Sequence, residues 1–61
     1  MLESTLDRFI GKKVTIRIFN HEISTGILHK ISGCYGCEID GKVSIIYPSD
    51  AIVSVKEAKN E

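Results

Sequence analysis

The first ten residues place apolar side chains at Leu2, Leu6, Phe9 and Ile10, the three- and four-residue spacing of one helix face. Ser4 followed three residues later by Asp7 resembles a capping box, and Gly11 is a suitable helix stop. From Lys13 the period falls to two. Val14, Ile16 and Ile18 alternate with Thr15, Arg17 and Phe19, the mark of a β-strand with one buried face. Asn20-His21 predicts a turn, with the histidine asked to tolerate positive φ. Across it Ile18 would face Ile23, Ile16 would face Thr25 and Val14 would face Ile27, so that the apolar faces coincide. The returning strand, Ile23–Ile31, carries Leu28 on its other face beside Gly26. That glycine marks a bend, which lets one long strand serve two sides of a small barrel.

Ser32–Gly36 reads as a glycine-bearing loop, followed by Cys37 and Ile39 facing inward with Glu38 and Asp40 outward. At Asp40-Gly41 a two-residue loop would put Glu38 on the side of Val43. A three-residue loop, Asp40 to Lys42, instead aligns Ile39 with Val43 and Cys37 with Ile45 at the cost of a bulge. A fourth strand, Val43–Tyr47, stops at Pro48, which has no N–H to give a ladder. Ser49-Asp50 makes a tight turn into a fifth strand, Ala51–Val55. The pattern therefore predicts one mainly β domain over 1–61: a short N-terminal helix (1–11), a strongly bent five-stranded barrel (13–55) and a polar tail (56–61). It contains no linker, internal repeat or low-complexity segment.

Length adds a constraint. A chain of 61 residues buries only about 60% of the surface it exposes when unfolded, so its core needs a supplement. Two cysteines exclude a multi-disulfide framework, which leaves oligomerisation as the common remedy. The opening MLESTLDRFIGKK is acidic where a signal peptide would be basic, and no apolar run approaches the ~18 residues of a membrane span. The expectation is a cytoplasmic protein with no membrane partner. The formal net charge is zero, which speaks against a polyanion binder working by charge alone. Lys12, Lys13, Arg17 and Lys30 nevertheless outnumber Glu22 between residues 12 and 31. They form a modest basic stretch, either solvated surface or a set of phosphate contacts.

The run GKKVTIRIFNHEISTGIL, a turn, then EIDGKVSIIYPSDAIVSV resembles the Sm-like branch of the SH3-type barrels, including the bacterial Hfq RNA chaperones. It is also similar to the carboxy-terminal barrel of the ribosome maturation factor RimP. The resemblance covers nearly the whole chain, and Tyr47 followed by a tight turn and Ala51-Ile52 is its most Hfq-like part. It implies an SH3-type (Sm-like) barrel whose subunits form a ring by pairing the fourth strand of one with the fifth of the next, and which binds single-stranded RNA near that junction. The chain departs from the family where Hfq has a lysine-histidine pair after the tyrosine: here stand Pro48, Ser49 and Asp50. The Asp and Asn of the Sm loop after the second strand are also absent, so the family's uridine pocket does not carry over.

Other candidate chemistry has an ordinary reading beside it. Cys34 and Cys37 form C-x-x-C, the spacing of redox pairs and of half a zinc site. Here they read as two reduced cysteines, Cys37 in the core and Cys34 near a loop tip, with metal binding or reversible oxidation as the alternative. His29 follows inward parity and reads as a partly buried histidine with one bonded nitrogen. His21, at a turn tip, reads as solvated. Tyr35 is loop-borne and Tyr47 ends a strand, so both could stack on bases, with packing at a subunit seam as the other reading of Tyr47, while Phe19 is expected beneath the helix. No Ser-His-Asp order, phosphate loop or acidic cluster is present, so neither an enzyme nor a cofactor is expected. The reading is a homo-oligomeric ring on single-stranded RNA, with Tyr47, Arg17, Lys30 and Tyr35 as nucleic-acid-binding residues and no metal. The alternative is a protein–protein interaction or assembly module that touches no nucleic acid.

Overall fold

Alternation in Lys13–Ile18 builds the first strand as expected: Val14, Ile16 and Ile18 are buried, while Lys13 and Arg17 face out. A computed structural model describes residues 1–19 and 21–58 of the chain, without the side chains of 21–24. Asn20, the side chain of His21 and the end of the polar tail thus lie outside the described residues. The elements are α1 (Glu3–Asp7), β1 (Lys13–Ile18), β2 (His21–Ile31), β3 (Cys34–Ile39), β4 (Lys42–Val43), β5 (Tyr47–Pro48), a single 3₁₀ turn (Ser49–Ala51) and β6 (Ile52–Glu57). The protein is mainly β, with a short N-terminal helix before one antiparallel sheet of order β4-β3-β2-β1-β6, and β5 also pairs with β3. The sheet is not closed into a barrel.

The first hairpin differs from its predicted register. Ile18 faces His21, so the turn starts at Phe19, one residue earlier than expected. Positive φ (53°) falls on Phe19, a bulky side chain in a region that disfavours it. A bulge between Ile16 and Arg17 shifts the ladder further, so that Ile16 faces Ser24 and Val14 faces Gly26. The turn's displacement moves facing partners by two and keeps the parity, whereas the bulge moves them by one and reverses it along β2: Leu28 is buried, while Thr25, Ile27, His29 and Ile31 lie on the outer face.

The next two hairpins are tighter than expected. Ile31 faces Cys34 across Ser32-Gly33 (φ 50° and 80°). Cys34, Tyr35 and Gly36 therefore belong to β3, and the predicted five-residue loop is a two-residue turn. Ile39 faces Lys42 across Asp40-Gly41 (φ 53° and 81°), so the two-residue loop is adopted and the three-residue one is not. Both turns have the paired positive φ that matches the right-handed twist of the flanking strands. The price is that Ile39, expected inside, is 46% exposed.

The fourth strand is broken. β4 pairs Glu38 with Val43, β5 pairs Tyr35 with Tyr47 one register later, and residues 44–46 leave the ladder between them. Gly36 permits this excursion, because a Cβ there would lie 2.6 Å from the Ile45 carbonyl oxygen. The last strand starts after the 3₁₀ turn and pairs with β1, with Val53 bulged out where Ile18 meets Ile52 and Arg17 meets Ser54. The core holds Leu6, Val14, Ile16, Ile18, Leu28, Tyr35, Cys37 and Ile52.

The helix is shorter than the predicted 1–11 stretch. Its N-cap is Leu2, with no side-chain cap bond, so Ser4 and Asp7 do not form a capping box. Leu6 alone of the helical residues is buried, while Leu2 and Ile10 are exposed. Gly11 ends the segment at φ 86° as expected, and its N–H donates to the Leu28 carbonyl.

Candidate functional site

Lys30 and Tyr35 face each other across β2 and β3, and facing residues share a side of the sheet. Tyr35 alternates with Cys37 on the inner face and is fully buried, so it is not the loop-borne ring expected to stack on a base. Its hydroxyl donates to Asp7 Oδ1 at 2.6 Å and lies 3.5 Å from the Glu3 carbonyl. Lys30 lies over the Tyr35 ring, 5.4 Å from its centroid, and pairs with Glu3 and Asp7 at 3.3–3.4 Å. The Tyr35 hydrogen bond, followed by the Lys30 ammonium, holds the Asp7 carboxyl below its usual range. Burial, then the Asp7 hydrogen bond, pushes the Tyr35 phenol up. Lys30 is held protonated by the Tyr35 oxygen first and by the carboxylates after it. Two of the four predicted RNA contacts are thus committed to tying α1 to the sheet. Glu3 and Asp7 were legible only as helix residues, because the pairing that brings β2 and β3 beneath them is not local.

Tyr47 is half-buried and packs against the core. It forms one wall of a cleft of about 180 Å³, with Ile16 and Cys37 at the core side and Ile39, Lys42, Ser44 and Ile45 at the rim. The cleft exists because residues 44–46 leave the ladder. It joins an exposed apolar stretch, Ile45 (57% exposed) and Ile46, to the unpaired edge of the sheet. The sequence pattern hid this feature, since a regular strand over Val43–Tyr47 would have alternated these side chains.

Arg17 stands apart from Tyr47, on the outer face of β1. Lys13 and Thr15 share that face, with Thr25 across one ladder and Lys56 and Ser54 across the other. Thr15 and Thr25 share a hydrogen bond at 2.7 Å. At the end of the strand Phe19 is 70% exposed, not covered by the helix as expected. Lys56 joins this face through the β1–β6 ladder and was not singled out from the sequence.

Cys34 and Cys37 sit three residues apart on β3, hence on opposite faces of the sheet. Their Cα atoms are about 10 Å apart along an extended strand, beyond the reach of a disulfide. Cys37 is in the core as expected, whereas Cys34 is a strand residue beside the turn. His29 is partly exposed with its Nε2 2.6 Å from Glu38 Oε1, so its single bonded nitrogen is as expected, but on the outer face. Among the described residues, no group of three or more His, Cys, Asp or Glu side chains gathers to hold a metal, and no helix is long and apolar enough to cross a membrane.

The fold and these surfaces define a small mainly β module whose sheet, among the described residues, has a free edge on either side. Compared with known proteins, the chain matches no family model, no curated protein and no solved structure.

Proposed function

We propose that the chain is an assembly module, whose copies join edge to edge and whose work is protein interaction. The observation that carries this reading is the broken β4–β5 edge, where Ile45 and Ile46 stand exposed beside the apolar cleft. At the other end of the sheet β6, paired with β1 on one side, has a free outer edge among the described residues, with Val53 57% exposed at its bulge. Two different free edges on one molecule, each with exposed apolar side chains, can pair head to tail, an arrangement that closes into a ring when the rotation allows. A second copy also supplies the apolar burial that so short a chain lacks. The finer architecture in this reading is the SH3-type, Sm-like barrel, with β4 and β5 as two halves of one fourth strand. Their adjacent registers on β3 support it. Sedimentation at micromolar concentration tests the proposal. We expect a homo-oligomer that Ile45→Lys dissociates, and a monomer of 6.8 kDa at every concentration would overturn it.

A second reading, single-stranded RNA binding, is favoured by one observation: Lys13, Arg17 and Lys56 share an exposed face that ends near the Phe19 ring. Basic side chains would hold phosphates and the ring would stack on a base. Fluorescence anisotropy with oligo-U and oligo-A at two salt concentrations tests it. Arg17→Ala should reduce the salt slope, and Phe19→Ala should weaken binding by about 1–3 kcal/mol. No binding tighter than roughly 10⁻⁴ M would remove this reading.

A further inference from the structure

Residues 1–10 touch the sheet through contacts unlike those that hold the sheet together. A helix of five residues, Glu3–Asp7, has no stability of its own. At one end Gly11 donates to the Leu28 carbonyl and Lys12 accepts from the Leu28 N–H, which fixes the point where the segment leaves β2. Gly11 has the left-handed φ of a pivot, and a Cβ there would meet nothing within 4 Å. At the other end the Met1 ammonium donates to the Ser49 and Ile52 carbonyls, both at 2.9 Å. Between them Leu6 is buried, and the polar hold is one cluster: Asp7 and Glu3 on the segment, Lys30 from β2 and Tyr35 from β3. Among the described residues, Lys30 and Tyr35 are the charged or titratable groups in contact with Asp7, and Glu3 shares the Lys30 ammonium.

We propose that residues 1–10 are a strap that opens about Gly11 as a unit, and that the Asp7 carboxylate is the latch that keeps it shut. Among the described residues, Asp7 carries the only side-chain oxygen bonded to the Tyr35 hydroxyl, and it shares the Lys30 ammonium with Glu3. Protonating it removes the charge that attracts Lys30 and weakens the acceptor for the phenol. Because the carboxyl of Asp7 lies below its usual range when the strap is shut, the latch contributes fully above the ordinary carboxylate value of about 4. It is lost as pH falls through the lowered value. Opening uncovers the seat of Leu6 and the Tyr35 ring, which pairs with Tyr47 of β5, so the strap also steadies the broken edge. The device stands on the strap's own contacts, independently of whether copies assemble.

Hydrogen exchange resolved by residue, on the full chain at neutral pH and at about pH 2.5, tests it. The Leu6 and Phe9 amides, which donate to Leu2 and Leu6 carbonyls, report the strap, and the β2–β3 ladder reports the sheet. We expect acid to lower strap protection several-fold while the ladder keeps its own. Asp7→Asn should lower strap protection at neutral pH and flatten its acid response, and Tyr35→Phe should do the same should the first variant not fold. Strap and ladder losing protection together, a strap indifferent to acid, or an undiminished acid response in the folded variant would each overturn the proposal.

Discussion

Gly26 and Glu38 approach so closely that a Cβ on Gly26 would lie 2.4 Å from the Glu38 backbone oxygen. Gly26 sits on the inner face of β2 opposite Val14, next to the point where Ile27 pairs with Glu38. The absent side chain therefore lets the end of β3 lean over β2. The obstacle is backbone, which cannot swing aside as a side chain could. Gly26→Ala should destabilise the domain by about 1–3 kcal/mol, even though alanine restricts the unfolded chain more than glycine does. Denaturant unfolding of the two chains decides it, and an equal or higher midpoint for the variant would contradict the close approach.

Phe19 presents the opposite case. Its φ of 53° is adopted by an aromatic residue that is 70% exposed, so the turn carries backbone strain with little packing in return. Phe19→Asn places a residue suited to that conformation and should stabilise the fold by about 1 kcal/mol. For a domain of this size that is roughly 4–8 °C in Tm. A lower Tm would mean that the ring packs more than its exposure indicates.

Gly36 links packing to the proposed assembly. A Cβ there would meet the Ile45 carbonyl oxygen at 2.6 Å and a Val43 methyl at 2.7 Å, so Gly36→Ala must push residues 44–46 outward and reshape the cleft. We expect a folded chain, destabilised by about 1–3 kcal/mol, whose self-association by sedimentation is weakened. Unchanged self-association would show that copies do not meet at this edge.

The Tyr35 phenol should ionise above its ordinary value of about 10, because burial and then the Asp7 carboxylate oppose the phenolate. A raised folded-state value means that this contribution to stability is complete below about pH 10 and is lost as pH rises through the raised value. Ultraviolet titration should reveal a late phenol step that Tyr35→Phe abolishes. A titration with no step above the ordinary range would place the ring in water.

Cys34→Ser should leave stability within about 0.5 kcal/mol, because the side chain is only partly buried and stands on the opposite face from Cys37. Thermal unfolding with and without a chelator measures both this and the metal alternative. A Tm that falls on chelation would restore the metal reading.

What the chain determines by itself is local. The alternation of Val14, Ile16 and Ile18 defines a half-buried strand, Gly11 stops the helical segment, and Asp40-Gly41 sets a hairpin, because period and turn chemistry act between near neighbours. The mainly β class follows from those signals. Register was decided by the tertiary structure. One bulge between Ile16 and Arg17 reversed the parity of β2, taking Leu28 inward and Ile27 and His29 outward, because a one-residue slip moves every side chain to the other face. The fate of Tyr35 followed from that: as a strand residue opposite Lys30 it is buried beneath Asp7, an encounter across 28 residues that no local spacing encodes. The break at residues 44–46 likewise depends on the space above Gly36, which exists only once β3 and its neighbours have come together.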